Sequence, residues 1–150
     1  LIACAVGIGS DVPACLFGRA ALGKGRGEAL EPIDGLSGTF ALLVNPGVAV
    51  STARVFAGWD GMDRGPIAEG HLLDRALAGR NDLEPSARRL APVVDDVMAA
   101  LDATAPVLAR MSGSGATCFG LYASAEVSAR AAAAVGSAHP DWWCVETLLL

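Results

Sequence analysis

Aromatic residues are few in this chain (5%), charged residues are only 18%, and basic side chains are in deficit. Eleven Lys and Arg stand against sixteen Asp and Glu, giving a formal net charge of −5 over 150 residues. With an isoelectric point near 4.8, the chain offers none of the positive field that holds DNA, RNA or an anionic membrane surface. Nucleic acid is therefore excluded as an expected partner. Long hydrophobic runs are missing too. Hydrophobic residues make up 53% of the sequence and mean hydropathy is +0.45. Yet the richest windows, Leu1–Val6, Phe40–Val44 and Leu148–Leu150, fall far short of the roughly 20 apolar residues of a membrane helix. The chain opens Leu-Ile-Ala-Cys-Ala without a Met, as a piece cut from something longer would, and no secretory signal pattern begins it. The expectation is a cytoplasmic protein with no membrane partner.

Cysteine is scarce and scattered. Cys4, Cys15, Cys118 and Cys144 form no CxxC pair and have no His at ligand spacing, which excludes a zinc site and a disulfide framework. They are expected to be reduced thiols packed as small apolar side chains, and no metal site is expected. Neither the GxxxxGK[ST] loop of P-loop proteins nor the GxGxxG of dinucleotide folds occurs. His71 and His139 lack a Ser, Cys or acidic partner at diagnostic spacing and read as surface or structural residues. Ser112 and Ser114 lack the flanks of a nucleophile elbow.

What is present is enough for one ordinary domain, or for one complete domain and part of another. Leu1–Val6 reads as the end of a helix stopped by Gly7 or Gly9. Ser10 or Asp11 caps a short helix with Pro13 in its first turn. Arg19–Lys24 and Glu28–Ile33 flank Gly25-Arg26-Gly27 as a hairpin, and the polar stretch Asp34–Gly38 marks a domain boundary. Phe40–Val44, stopped by Asn45-Pro46-Gly47, reads as a buried strand. Ser51 or Thr52 caps a helix running through Val55, Phe56 and as far as Trp59, and a mobile connection over Gly58–Gly65 follows. Two helices are expected next, Pro66–Ala78 and Leu83–Asp102. The second carries Leu90, Val94, Val97, Met98 and Leu101 at helical spacing, with Pro85 and Pro92 disturbing its early turns. Val107–Arg110 and Thr117–Tyr122 read as strands, Ala125–Val135 as an alanine-rich helix and Trp142–Leu149 as a closing strand in which the two Trp pack core and edge. From residue 39 onward this order gives an α+β sandwich, a largely antiparallel sheet covered by helices on one face.

Two local features carry chemistry. In Ser112-Gly113-Ser114-Gly115, glycines let the backbone approach a ligand, and amides and hydroxyls can face phosphate oxygens. The same residues also make a tight strand connection that needs positive φ, and the two readings stand side by side. Asp11, at the start of a short helix, is either a plain N-cap or a carboxylate that takes a proton from a substrate hydroxyl. The loop Gly23-Lys24-Gly25-Arg26-Gly27 reads as a hairpin with solvated charges rather than a phosphate grip.

Gly9-Ser10-Asp11-Val12-Pro13 precedes Arg110-Met111-Ser112-Gly113-Ser114-Gly115-Ala116-Thr117-Cys118-Phe119 by about a hundred residues. Taken together, the two segments resemble the second half of the GHMP superfamily of small-molecule kinases. The nearest branch is the one acting on 4-diphosphocytidyl-2-C-methyl-D-erythritol in non-mevalonate isoprenoid biosynthesis. Gly18-Arg19-Ala20-Ala21, Gly25-Arg26-Gly27-Glu28, Val44-Asn45-Pro46-Gly47-Val48 and Asn81-Asp82-Leu83-Glu84 extend the resemblance over nearly the whole chain. It implies a ferredoxin-like GHMP C-terminal domain over residues 39–150, preceded at 1–38 by a remnant of the S5-like ATP-binding domain. It further implies ATP, with Mg²⁺ borne on the nucleotide, as phosphoryl donor to the substrate's 2-hydroxyl. Asp11 would be the base or orienter, Phe56 would pack on the cytosine ring, and Thr52 would lie close to the reacting centre. Gly113, Ser114 and Gly115 would help shape the nucleotide and phosphate loop. The resemblance is consistent with a monomer or weak homodimer. The family's P-x-x-A-G-L-G-G-G-S-S loop and its N-terminal Lys do not occur in the chain, so the piece alone is expected to be inactive or nearly so. Two alternatives follow: another GHMP kinase, of homoserine or mevalonate type, and a non-catalytic ferredoxin-like binding module.

Overall fold

A computed structural model describes residues 7, 9, 12–25, 27 and 29–149. The expected helix end at Leu1–Val6 and the capping residues Ser10 and Asp11 lie outside the described residues. A short helix α1 (Val12–Phe17) with buried Pro13 in its first turn leads to the hairpin β1 (Ala21–Lys24) and β2 (Ala29–Pro32). These strands pair antiparallel, with Lys24 opposite Ala29, and are shorter than the sequence suggests. After an irregular stretch come β3 (Phe40–Asn45), α2 (Thr52–Ala57), α3 (Leu72–Ala78), α4 (Glu84–Leu90) and α5 (Val93–Asp102). The chain ends with β4 (Leu108–Met111), β5 (Cys118–Tyr122), α6 (Ala125–Ala138) and β6 (Trp143–Leu148).

The four later strands form one antiparallel sheet in the order β4-β5-β3-β6. The apolar run that predicts a buried strand is its centre, with Leu42 opposite both Gly120 and Glu146. Because side chains alternate along a strand, Leu42 and Val44 meet the buried stripe of α5 (Val94, Val97, Met98, Leu101) and Ala131 and Val135 of α6. Ala41 points the other way, into a smaller cluster with Leu108 and Leu121, against which Leu36 and Ala76 pack. Burying side chains of this size stabilises by about 2 kcal/mol each, so the α5–α6 face is the main core. Tyr122, 2% exposed, bonds Thr104 through its hydroxyl at 2.8 Å.

Several boundaries differ from expectation, each for a local reason. Pro66–Ala78 is not one helix. It starts at Leu72, because Gly70 has φ +125°, outside any helical conformation. Leu83–Asp102 is two helices, not one. Pro92 has no amide to continue the ladder, and Ala91 before it is extended, at φ −139° and ψ 83°. The break takes Leu90 out of the buried stripe and leaves it exposed. The helix capped by Ser51 stops at Ala57 with Gly58 as its cap, so Trp59 lies beyond it. The alanine-rich helix, capped by the Ser124 hydroxyl, runs on to Ala138. Cys118 and Cys144 pack with the core as expected, whereas Cys15 is exposed.

Candidate active site

The glycine-rich turn between β4 and β5 owes its shape to two residues of positive φ, Gly113 at +55° and Gly115 at +82°. A Cβ at Gly115 would stand 2.8 Å from the Met111 Sδ, so only glycine lets the chain pass that close. Within the turn the Ser112 amide donates to the Thr117 carbonyl at 2.8 Å and the Gly115 amide to the Ser112 carbonyl at 3.0 Å. Those two amides are taken internally; the amides of Gly113, Ser114, Ala116 and Thr117 are left for another acceptor.

Side chains from elsewhere fix the turn in place. Asn81, just ahead of α4, donates from Nδ2 to the Met111 carbonyl at 2.9 Å and to the Gly113 carbonyl at 2.8 Å. Its Oδ1 accepts the Leu83 amide at 3.0 Å. Asn45, at the end of β3, donates from Nδ2 to the Thr117 Oγ1 at 2.8 Å while its Oδ1 accepts the Gly47 amide. Sequence reasoning did not single out either asparagine as a site residue. The readable signal was Asn followed by a turn, in Asn45-Pro46-Gly47 and Asn81-Asp82, where the side chain can bond backbone two residues on.

Of the expected site residues, Thr52 and Ser114 come together: their hydroxyl oxygens lie 2.9 Å apart. Thr52 is the first residue of α2, which the Ser51 side chain caps by accepting the Arg54 amide. Phe56, one turn further along the same helix, is 56% exposed. A planar ligand could stack on that ring without displacing core. Asp11 lies outside the described residues.

Beside the turn, Trp59, Arg64, Arg80, Asn81, Asp82 and Arg89 line a cavity of about 270 Å³. Asp82 pairs with Arg80 at 2.8 Å and Arg64 at 3.7 Å. Arg64 also bonds Asp60 and holds that carboxyl down at about 2, helped by the Met62 amide. Arg89 donates to the Gly58 carbonyl at 2.7 Å. This ion network ties residues 58–65, expected from the sequence to be mobile, to the turn that carries Asn81. A further cavity of about 440 Å³, lined by Arg19, Asp34, His71 and Arg75, lies away from the glycine turn.

Comparison with known proteins adds the family. The family model of the GHMP kinases C terminal matches residues 68–141. Over those residues the chain carries the C-terminal domain of the GHMP kinases. It is 52% identical over 139 residues to a 4-diphosphocytidyl-2-C-methyl-D-erythritol kinase of Rhizorhabdus wittichii, covering 91% of this chain and 47% of that protein. A crystal structure of 4-(cytidine 5′-diphospho)-2C-methyl-D-erythritol kinase superposes with a TM-score of 0.80 at 33% identity, over 97% of this chain and 56% of that one. A homoserine kinase from Cytophaga hutchinsonii, at 18% identity and a TM-score of 0.65 over 93% of this chain and 50% of its own, shares the fold. The chain spans about half the length of the curated relatives it matches.

Proposed function

We propose that this chain is the C-terminal part of a kinase that moves the terminal phosphoryl group of ATP to the 2-hydroxyl of 4-diphosphocytidyl-2-C-methyl-D-erythritol, in isoprenoid biosynthesis. One observation carries the reading. The Thr52–Ser114 contact at 2.9 Å joins the helix after Asn-Pro-Gly to the glycine turn, in a chain 52% identical to a protein of that name. On this reading residues 1–38 belong with the ATP-binding half and residues 39–150 form the substrate side. The protein works in the cytoplasm as a monomer or weak homodimer.

The chemistry needs little from the protein beyond position and charge stabilisation. The acceptor oxygen forms a bond to the terminal phosphorus as the bond to the β-phosphate oxygen of ATP breaks and ADP leaves. Asp11 takes the hydroxyl proton. The Thr52 and Ser114 hydroxyls orient the acceptor, the amides of Gly113 and Ser114 meet phosphate oxygens, and Phe56 stacks on the cytosine. Among the described residues no group of three His, Cys, Asp or Glu side chains is assembled to hold a metal. On this reading Mg²⁺ enters with the nucleotide.

The test joins this chain to the part of the Rhizorhabdus wittichii protein that it does not match and follows ATP consumption with the cytidylyl acceptor. Turnover is expected in the joined protein and not in the chain alone, and Asp11→Asn should lower it by about a hundredfold or more. Turnover with homoserine or mevalonate instead would overturn the substrate; no turnover with any acceptor would overturn the kinase.

A further inference from the structure

We infer that Asn81 and Asn45 are the positioning residues of this site, each anchoring one limb of the glycine turn so that Ser114 is held against Thr52. The inference deepens the kinase reading and rests on it for its functional meaning. Its observations are separate: two side-chain amides, 36 residues apart in the sequence, converge on one six-residue connection. Asn81 takes the incoming limb at Met111 and Gly113, and Asn45 takes the outgoing limb at Thr117.

The division of labour within each side chain is the same. The carbonyl oxygen accepts an amide two residues on, Leu83 for Asn81 and Gly47 for Asn45, which fixes the side chain's own rotamer. The NH₂ group then projects its donors away from its own segment toward the turn. Asn81 uses both of those hydrogens, and only a side chain with two donors and an acceptor can make all three bonds. Asp would keep the acceptor and lose the donors; Ser would reach too short; Lys would have no acceptor. A turn with two positive-φ glycines has wide conformational freedom of its own, so without outside anchors the Ser114 hydroxyl would have no fixed place. The turn's own backbone bonds, from the Ser112 amide to Thr117 and from the Gly115 amide to Ser112, close it without tying it to the rest of the site. Placement within a fraction of an ångström is what transfer chemistry demands.

Asn81→Asp separates the roles, since the carboxylate is nearly isosteric and still accepts the Leu83 amide but donates nothing when ionised. Amide hydrogen exchange of this chain, resolved by NMR, is the readout. Loss of two neutral hydrogen bonds should speed exchange at Ser112 and Gly115 roughly tenfold or more, with protection in α6 unchanged. Expressed as protection factors, the loss should partly reverse on acidification, because the protonated carboxyl regains one donor. Unchanged exchange at the turn, or a loss spread evenly over the chain, overturns the inference. Should that variant not fold, Asn45→Asp puts the same question to the other limb, with the change confined to the Thr117 side. In the joined protein, Asn81→Asp should lower kcat about tenfold with a smaller change in KM for the acceptor, since Thr52 and Phe56 still hold it while Ser114 is displaced. Absence of turnover in every variant speaks against the kinase reading, while the exchange result decides the inference independently.

Discussion

The turn over residues 24–29 and the turn over residues 111–117 are made from the same materials, glycine at positive φ with a few polar neighbours. Gly25 (φ +68°) and Gly27 (φ +99°) close the first; Gly113 and Gly115 shape the second. Among the described residues, the first joins two strands that pair only with each other, and the side-chain contact beside it is an exposed Lys24–Glu31 pair at 3.3 Å, a kind worth little in water. The second receives bonds from Asn45, Thr52 and Asn81, which come from three other parts of the chain. Glycine content makes a tight turn possible. Anchoring from distant elements makes one into a candidate site.

Two thiols, one upstream of the hairpin and one beside the glycine turn, give the largest expected contrast. Cys15 is exposed on α1, upstream of the hairpin, while Cys118 opens β5 immediately after the glycine turn and is 0% exposed. Burial pushes the Cys118 thiol from 9.0 up to about 12, which lowers its thiolate population about a thousandfold near neutral pH. Iodoacetamide at pH 8, with peptides resolved by mass spectrometry, should label Cys15 readily and leave Cys118 untouched until the chain unfolds. The sign for stability follows from the raised value. The contribution is full below the ordinary thiol value of 9.0 and is lost as pH climbs through about 12. Equal labelling of the two cysteines would break the contrast between the regions.

Next in size is Gly115→Ala. Positive φ costs about 1 kcal/mol for a residue with a Cβ. The clash with Met111, itself buried, adds overpacking strain of about 2 kcal/mol. Urea unfolding should show a loss of about 3 kcal/mol in all. A loss below about 1 kcal/mol would mean that Met111 moves aside freely and that the turn is less confined than its geometry indicates.

The main elements of the sheet were legible because their cause is local. Phe40–Val44 is an apolar run bounded by a turn, and Val94, Val97, Met98 and Leu101 repeat at helical spacing and are buried as that spacing requires. The misread boundaries, at Leu72 and at Ala91-Pro92, sit where one Gly or one Pro overrides a favourable pattern. For the site, Ser114 was legible in its glycine-rich turn and Thr52 came from the family resemblance, while their pairing is visible only in three dimensions. The roles of Asn45 and Asn81 were not legible at all. Each makes a common local turn, and nothing near either residue in the sequence says that its free NH₂ reaches a loop dozens of residues away.

The smallest expected effect sharpens the comparison most. Gly113→Ala meets no atom within 4 Å, and Gly25 has nearly the same backbone angle, +68° against +55°. At Gly113 an Ala should cost the positive-φ penalty alone, about 1 kcal/mol, and the same penalty applies at Gly25, so unfolding measurements should show a loss of at least that size in both variants. Turnover in the joined protein should tell them apart. Gly113→Ala alters the limb that Asn81 holds and the backbone next to Ser114, and a shift of less than 1 Å there is expected to lower kcat about tenfold or more. Gly25→Ala touches neither and should leave the rate unchanged. If the two variants lost activity equally, the anchored turn would have no special standing, and its side-chain bonds would be structural in the same sense as the hairpin's ion pair.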